Sequence, residues 1–290
     1  MNFDEELEIK INDINKHLEE YLKISKNEKI REAMSYSLFA GGKRLRPLLL
    51  LGALQSVSSE YESGIPFACA LEMIHTYSLI HDDLPAMDDD DLRRGKPTNH
   101  KKFGEAIAIL AGDGLLNLAF EIMIDSGLYS DSNNRLLAMK EISNASGVNG
   151  MIGGQVMDII FENKHINNNS LLNIHRNKTG AIFRASVVAG AILGNADAKT
   201  IQLFTDIGEK MGLAFQIKDD ILDVYGNEEQ LGKPVGSDEK NCKRTYVTLH
   251  GIEKAKEDYN SISKEVLSLL EFVDDSFLFK LTKKIIDRAQ

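Results

Sequence analysis

From His81 to Asp91 the chain reads His-Asp-Asp-Leu-Pro-Ala-Met-Asp-Asp-Asp-Asp, six carboxylates within ten residues. In water such a run repels itself and favours an open acidic loop, capped here by Arg93, Arg94 and Lys96. The largely apolar stretch before it, Leu71 to Ile80, points instead to a buried helix that delivers carboxylates to a cavity, where cations must compensate them. All-oxygen ligands, with no Cys or His pair at metal spacing, suit a hard ion, Mg2+ or Mn2+, that keeps waters and bridges phosphate oxygens. Arg93 and Arg94 add planar forks that grip phosphate directly.

A second acidic cluster lies in Gln216-Ile217-Lys218-Asp219-Asp220-Ile221-Leu222-Asp223. Gln216, Asp219, Asp220 and Asp223 fall at i, i+3, i+4 and i+7, one face of a helix with apolar flanks. Such a stripe is either an ordinary solvated face or a set of carboxylates paired with metal. Two clusters this far apart in the chain could face each other across one cavity.

Smaller signals surround them. Gly41-Gly42 can end a helix containing Tyr36 to Ala40, and Pro47 suits the first turn of the next, so Lys43, Arg44 and Arg46 fall at a helix N-terminus, a place for anions or a plain basic turn. His75, Ser78 and Asp82 share a helical face, although a lone helical His is more often a core residue. Lys178-Thr179-Gly180 interrupts the helical run from Leu171 to Leu193; Gly costs about 1 kcal/mol inside a helix, and a kink there could expose a carbonyl or hydroxyl. Gly153-Gly154-Gln155 can allow close helix packing. Lys233 and Lys243 lie on or near a polar loop after the second stripe and alone read as surface.

The elements that must position these residues read as helical almost throughout. Leu7, Ile11, Ile14, Leu18 and Leu22, and later Leu203, Ile207, Met211 and Ala214, recur at three- and four-residue spacing, while alternating strand patterns are absent. Breaks are expected at Ala40 to Gly42, Ser63-Gly64, Leu84 to Phe103, Ser130 to Asn134, Asn163 to Ser170, Asn195 to Asp197 and Gly226 to Lys240. None resembles an interdomain linker, so residues 1 to 290 are expected to form one all-α domain. Net charge is −10, which disfavours nucleic acid or an anionic membrane as the main partner. Two cysteines, Cys69 and Cys242, make neither a disulfide framework nor a zinc site and suit the reducing cytosol. The polar N-terminus carries no readable signal peptide, and no apolar run is expected to reach membrane-spanning length.

Together these residues resemble the trans-polyprenyl diphosphate synthases, most closely the bacterial farnesyl diphosphate synthases. The likeness runs from Gly41-Gly42-Lys43-Arg44-Leu45-Arg46-Pro47 through the first aspartate motif with Arg93-Arg94-Gly95, then Lys178-Thr179-Gly180, Gln216 and Asp-Asp-Ile-Leu-Asp, to Gly232-Lys233. It implies an isoprenoid-synthase-type helical bundle around a deep central cavity, usually a homodimer in the cytoplasm. It further implies that Asp82, Asp83, Asp88 and Asp219, with weaker roles for Asp220 and Asp223, hold three Mg2+ ions on an allylic diphosphate. Arg93, Lys178, Lys233 and Lys243 would grip that diphosphate, with Thr179 and Gln216 beside the reacting carbon. Gly42, Lys43, Arg46, His75, Arg94 and Arg288 would hold isopentenyl diphosphate.

Product length follows from the same resemblance. Tyr77 lies five residues before Asp82, about 7.5 Å along a helix, and beside the small Ser78 its ring could floor the cavity. An aromatic residue there, with the Asp-Asp-x-x-x-x-Asp spacing, resembles the fifteen-carbon pattern and implies farnesyl diphosphate; a geranylgeranyl diphosphate synthase is the alternative. Thr245-Tyr246 is followed by Val247 where relatives often have Pro, a local change. Arg288 stands alone where relatives' tails carry several basic residues. A terpene cyclase would normally show Asn and Ser or Thr in its second metal motif, and a non-catalytic subunit of a heteromeric synthase typically lacks one or both motifs.

Overall fold

The computed structural model describes residues 2–59, 61–128, 133–162, 164, 166–225, 245–273 and 275–287. Helices dominate: α1 (Phe3–Leu22), α2 (Glu28–Leu38), α3 (Leu45–Gln55), a 3-10 turn (Glu62–Gly64) leading into α4 (Ile65–Asp82), α5 (Asn99–Phe103), α6 (Glu105–Gly127), α7 (Asn133–Ser146), α8 (Met151–Phe161), α9 (Asn168–Ile174), a π-helical segment (His175–Gly180) continuing into α10 (Ala181–Leu193), α11 (Ala198–Tyr225), α12 (Tyr246–His250), α13 (Ile252–Leu270) and α14 (Ser276–Ile286). Side-chain caps mark many of the starts. Asn2 and Glu5 form a reciprocal capping box on α1, while Asn27, Asn167 and Asp275 cap α2, α9 and α14; each satisfies N–H groups that have no partner inside the helix.

Twelve of the 18 residues of α4 are buried, so this helix is core on nearly every side until it reaches its aspartates. It packs along α6, while α10 lies against α3, α7 and α11. Phe67, Phe183 and Phe204 are fully buried in the shared core; truncating one to Ala would cost about 3–5 kcal/mol.

Three local features depart from the sequence reading. The expected loop from Leu84 to Phe103 contains a two-residue antiparallel hairpin, β1 (Leu92–Arg93) and β2 (Lys96–Pro97), and then α5. Positive φ at Arg94 (53°) and Gly95 (73°) makes the tight turn that lets so short a pair form. Lys178-Thr179-Gly180, read as an interruption, closes a π segment instead, so the chain stays helical from Asn168 to Leu193 with one widened turn. Against the expectation that no run reaches membrane-spanning length, α6 is long and apolar enough to cross a membrane by length and composition. Here its buried side, including Ala108, Ala111, Leu115 and Ile122, joins the core.

The breaks at Ala40 to Gly42 and Asn195 to Asp197 fall where expected, and α9 begins within the expected break at Asn163 to Ser170, whereas Ser63-Gly64 belongs to the 3-10 turn that runs into α4; additional breaks lie at Gly147 to Gly150, Gly104 and Gly251. Val247 takes the second position of α12, whose start is capped by Thr245 and Thr248. An N–H there has no intrahelical partner, so the absence of Pro is locally inconsequential. The expected loop from Gly226 to Lys240, and with it Lys233, falls outside the described residues, as do Cys242, Lys243 and Arg288.

Candidate functional site

α4 stops at Asp82, and the turn beyond it folds back: the backbone N–H of Asp88 donates to the carbonyl of Asp82 at 2.9 Å, and that of Met87 to Leu84 at 2.8 Å. Six residues of separation are thereby reduced to a single turn, with both Asp82 and Asp88 half-buried. Asp83 points elsewhere. It is 3% exposed and accepts from Nε of Arg93 at 2.9 Å and again from Nη2, which also reaches Asp90 at 3.1 Å. Burial lifts the Asp83 carboxyl to about 6 against the pull of Arg93, and the charges of Asp90 and Asp82 add to the rise. Asp91, at the end of the run, pairs with Lys101 at 2.6 Å on the surface.

The second stripe is divided in the same way. Asp219 is half-buried, whereas Asp220 (2% exposed) and Asp223 (3%) lie inside. Asp220 Oδ1 accepts from the Gln216 amide at 3.0 Å; its Oδ2 accepts the backbone N–H of Tyr246 at 2.7 Å and lies 3.7 Å from His175 Nε2. Asp220 therefore ties α11 to the start of α12, across the residues that carry Lys233 and Lys243.

The π segment links the two motifs. Lys178 Nζ donates to Asp158 at 2.7 Å, and the Thr179 hydroxyl donates to Gln216 Oε1 at 2.9 Å. From α8, the amide of Gln155 donates to Asp82 at 2.5 Å. Hydrogen bonds thus run from Asp82 through α8 and the π segment to Gln216 and Asp220, joining positions more than a hundred residues apart. Burial works against the charge on Lys178, but the carboxylates of Asp82, Asp158 and Asp88 outweigh it and hold the ammonium above its ordinary pKa. α8 can lie so close because residue 154 is Gly: a Cβ there would sit 2.2 Å from the backbone nitrogen of Lys178.

A cationic group lies beside this chain of contacts. Gly41 (φ 115°) and Gly42 (φ 130°) make the turn between α2 and α3, and a Cβ on Gly42 would meet the guanidinium of Arg94 at 2.8 Å. Arg94 in turn donates to the Gly41 carbonyl. Lys43 is exposed, and Arg46 is half-buried over the ring of Phe183. Arg44, counted among three cations at this helix start, is committed inward: it is 4% exposed and donates to Asn15 (2.9 Å), Glu72 (2.6 Å) and the Leu38 carbonyl (2.7 Å). His75 faces this group, and burial, with the guanidiniums of Arg46, Arg94, Arg93 and Arg44, keeps its imidazole pKa well below the usual value. Tyr77 is 5% exposed, its ring edge-on to His81 at 5.7 Å, and the Ser78 hydroxyl donates to the His75 carbonyl at 2.8 Å.

Among the described residues no three His, Cys, Asp or Glu groups converge on one metal point. The donor set nonetheless fits a hard divalent ion. Asp82, Asp88 and Asp219 offer oxygen alone, and the carboxylates around Lys178 already stabilise a cation.

Gln155, Asp158, His175 and the Arg44–Glu72 pair were not singled out as site residues from sequence. Only the first two left a usable signal: Gly154-Gln155-x-x-Asp158 places two polar groups on one face of a short helix beside a glycine.

Residues 27–277 match the polyprenyl synthetase family. The chain is similar to the farnesyl diphosphate synthase of Geobacillus stearothermophilus, 54% identical over 79% of this chain and 77% of that protein. It is 49% identical to that of Micrococcus luteus over 90% of this chain and 89% of the relative. Among solved structures, the Helicobacter pylori geranyltransferase complexed with magnesium and isoprenyl diphosphate superposes with a TM-score of 0.83 at 33% identity, covering 97% of this chain and 96% of that one.

Proposed function

The chain belongs to the polyprenyl synthetase family, and from that premise we propose that it condenses isopentenyl diphosphate with dimethylallyl or geranyl diphosphate to give farnesyl diphosphate. One observation carries the reading to these residues: the hydrogen-bonded path Asp82–Gln155, Asp158–Lys178, Thr179–Gln216–Asp220, which joins both aspartate motifs to one cationic segment.

Asp82, Asp88 and Asp219 would hold the Mg2+ ions, three with substrate present, and Mn2+ suits the same donors. Asp83, whose Oδ1 takes both Arg93 bonds, and Asp220, both of whose oxygens have partners, would act by fixing Arg93 and the return to α12; Asp223 is assigned a weaker part in the same stripe. Bound Mg2+ supplies Lewis-acid neutralisation of the charge that builds on the diphosphate as its carbon–oxygen bond breaks. Lys178 and Arg93, with Lys233 and Lys243 from outside the described residues, grip the allylic diphosphate as it leaves. The Thr179 and Gln216 oxygens face the allylic cation. Lys43, Arg46, neutral His75 and Arg94, with Arg288 from the tail, hold isopentenyl diphosphate so that its double bond attacks. Among the described residues no side chain is placed as a general base, and the departed diphosphate takes the proton.

The burial of Tyr77 on α4, about 7.5 Å before Asp82 by helical rise, supports its role as the cavity floor. Tyr77→Ala should then shift the product beyond fifteen carbons. We also propose that the chain works as one all-α domain in a cytosolic homodimer. Exposed Ile109, Leu110 and Ile124 on α6, with Leu136 and Leu137 on α7, form an apolar surface that a second copy would cover.

Incubation of purified protein with isopentenyl diphosphate, geranyl diphosphate and Mg2+, followed by sizing of the dephosphorylated products, tests the reaction. A dominant fifteen-carbon alcohol is expected. A twenty-carbon product would overturn the length assignment, and no elongation by folded protein would overturn the activity.

A further inference from the structure

α8 contributes little to the core, with Met151 its one buried apolar side chain, yet it touches both charged arms of the site. Gln155 and Asp158, three residues apart, share a helical face. From that face Gln155 Nε2 donates to Asp82 Oδ1 at 2.5 Å, and Asp158 Oδ2 accepts from Lys178 Nζ at 2.7 Å. The backbones cannot move closer together, because Gly154 already lies directly against Lys178.

We propose that Gln155 and Asp158 are positioning residues that together set the separation between Asp82, which would carry metal, and Lys178, which would grip the same diphosphate. The inference rests on the reading above, in which Asp82 and Lys178 serve one allylic diphosphate. Each contact has a distinct physical task. Gln155 donates to Oδ1 of Asp82 and so fixes the plane of the carboxylate. Asp158 holds the Lys178 ammonium aside. Without that anchor the ammonium is drawn to Asp82 and Asp88, whose charges already act on it, and there it competes with the incoming divalent ion. Loss of either residue should therefore weaken metal–diphosphate binding by different routes, while the isopentenyl diphosphate group around Lys43, Arg46 and His75 is untouched.

The test uses full-length protein with Gln155→Leu, Asp158→Asn and the charge-conserving Asp158→Glu. Binding of inorganic diphosphate in the presence of Mg2+ is measured by calorimetry, alongside kcat, KM for each substrate and the melting temperature. Partners of metal ligands of this kind are worth about 10- to 100-fold in metal affinity or activity. Gln155→Leu and Asp158→Asn should each bind Mg2+-diphosphate about tenfold more weakly and lose about tenfold in kcat. KM for isopentenyl diphosphate should stay within about twofold, melting temperatures should hold within a few degrees, and Asp158→Glu should recover most of the loss. Unchanged diphosphate binding in both variants, or losses that merely track a lowered melting temperature, would overturn the proposal. If wild-type protein binds Mg2+-diphosphate but elongates no prenyl chain, the proposed reaction fails, and the binding comparison still decides this one.

Discussion

The two aspartate motifs look alike in sequence and are built differently. The first spills out of a helix end into a turn, and its buried member, Asp83, is balanced by the Arg93 guanidinium. The second stays within the regular stripe of α11, and Asp220, one of its two buried members, is held by an amide and a backbone N–H, with His175 nearby. A charge-balanced carboxylate can exchange partners when ions and diphosphate arrive. One held by backbone cannot be released without opening the fold. The same residue type thus serves mobile electrostatics in one motif and architecture in the other.

The largest effects are expected at the carboxylates proposed to hold metal. Asp82→Asn and Asp219→Asn should each lower kcat by about 10²- to 10³-fold with a near-native melting temperature. Should the proteins unfold instead, the division between catalytic and architectural aspartates collapses.

Asp220→Asn should show the opposite balance. An amide nitrogen would face either the Gln216 amide or the Tyr246 N–H, leaving a buried donor unmatched at about 2–3 kcal/mol. At a few degrees per kcal/mol for a chain of this size, the melting temperature should drop by about 4–10 °C in differential scanning calorimetry. Full stability combined with an activity loss equal to that of Asp219→Asn would place Asp220 on the metal.

A smaller effect separates Asp83. The folded chain keeps its proton there up to about pH 6, whereas the unfolded chain releases it near 3.8. The stability this group contributes is full below the lower value and is lost as pH rises through the higher. Asp83→Asn carries no such proton. Between pH 4.5 and 6.5 in chelator, wild type should lose about 1–3 kcal/mol of unfolding free energy relative to the variant, followed by urea titration. A constant difference would mean that Asp83 and Arg93 stay ionised together throughout.

Much of the site was legible because its types and spacings have few other uses. Helical periodicity announced α1, α4 and α11, and Gln216 with the three aspartates announced one face of α11. What stayed hidden were partnerships across the fold. Arg44 reads like Lys43 and Arg46 until Glu72 and Asn15 enclose it. Lys178-Thr179-Gly180 reads as a break until α8 and α11 support a widened turn there.

The amino-acid order by itself determined the helices, the clustering of carboxylates and cations, and the family, since these depend on periodicity and local composition. Only the tertiary structure decided which of those charges are committed: Asp83, Asp220 and Arg44 are held by groups 10, 26 and 28 residues away. The physical reason is that the cost of a buried charge depends on the partner that surrounds it, and partners are chosen by packing at a distance in the chain that no local pattern encodes.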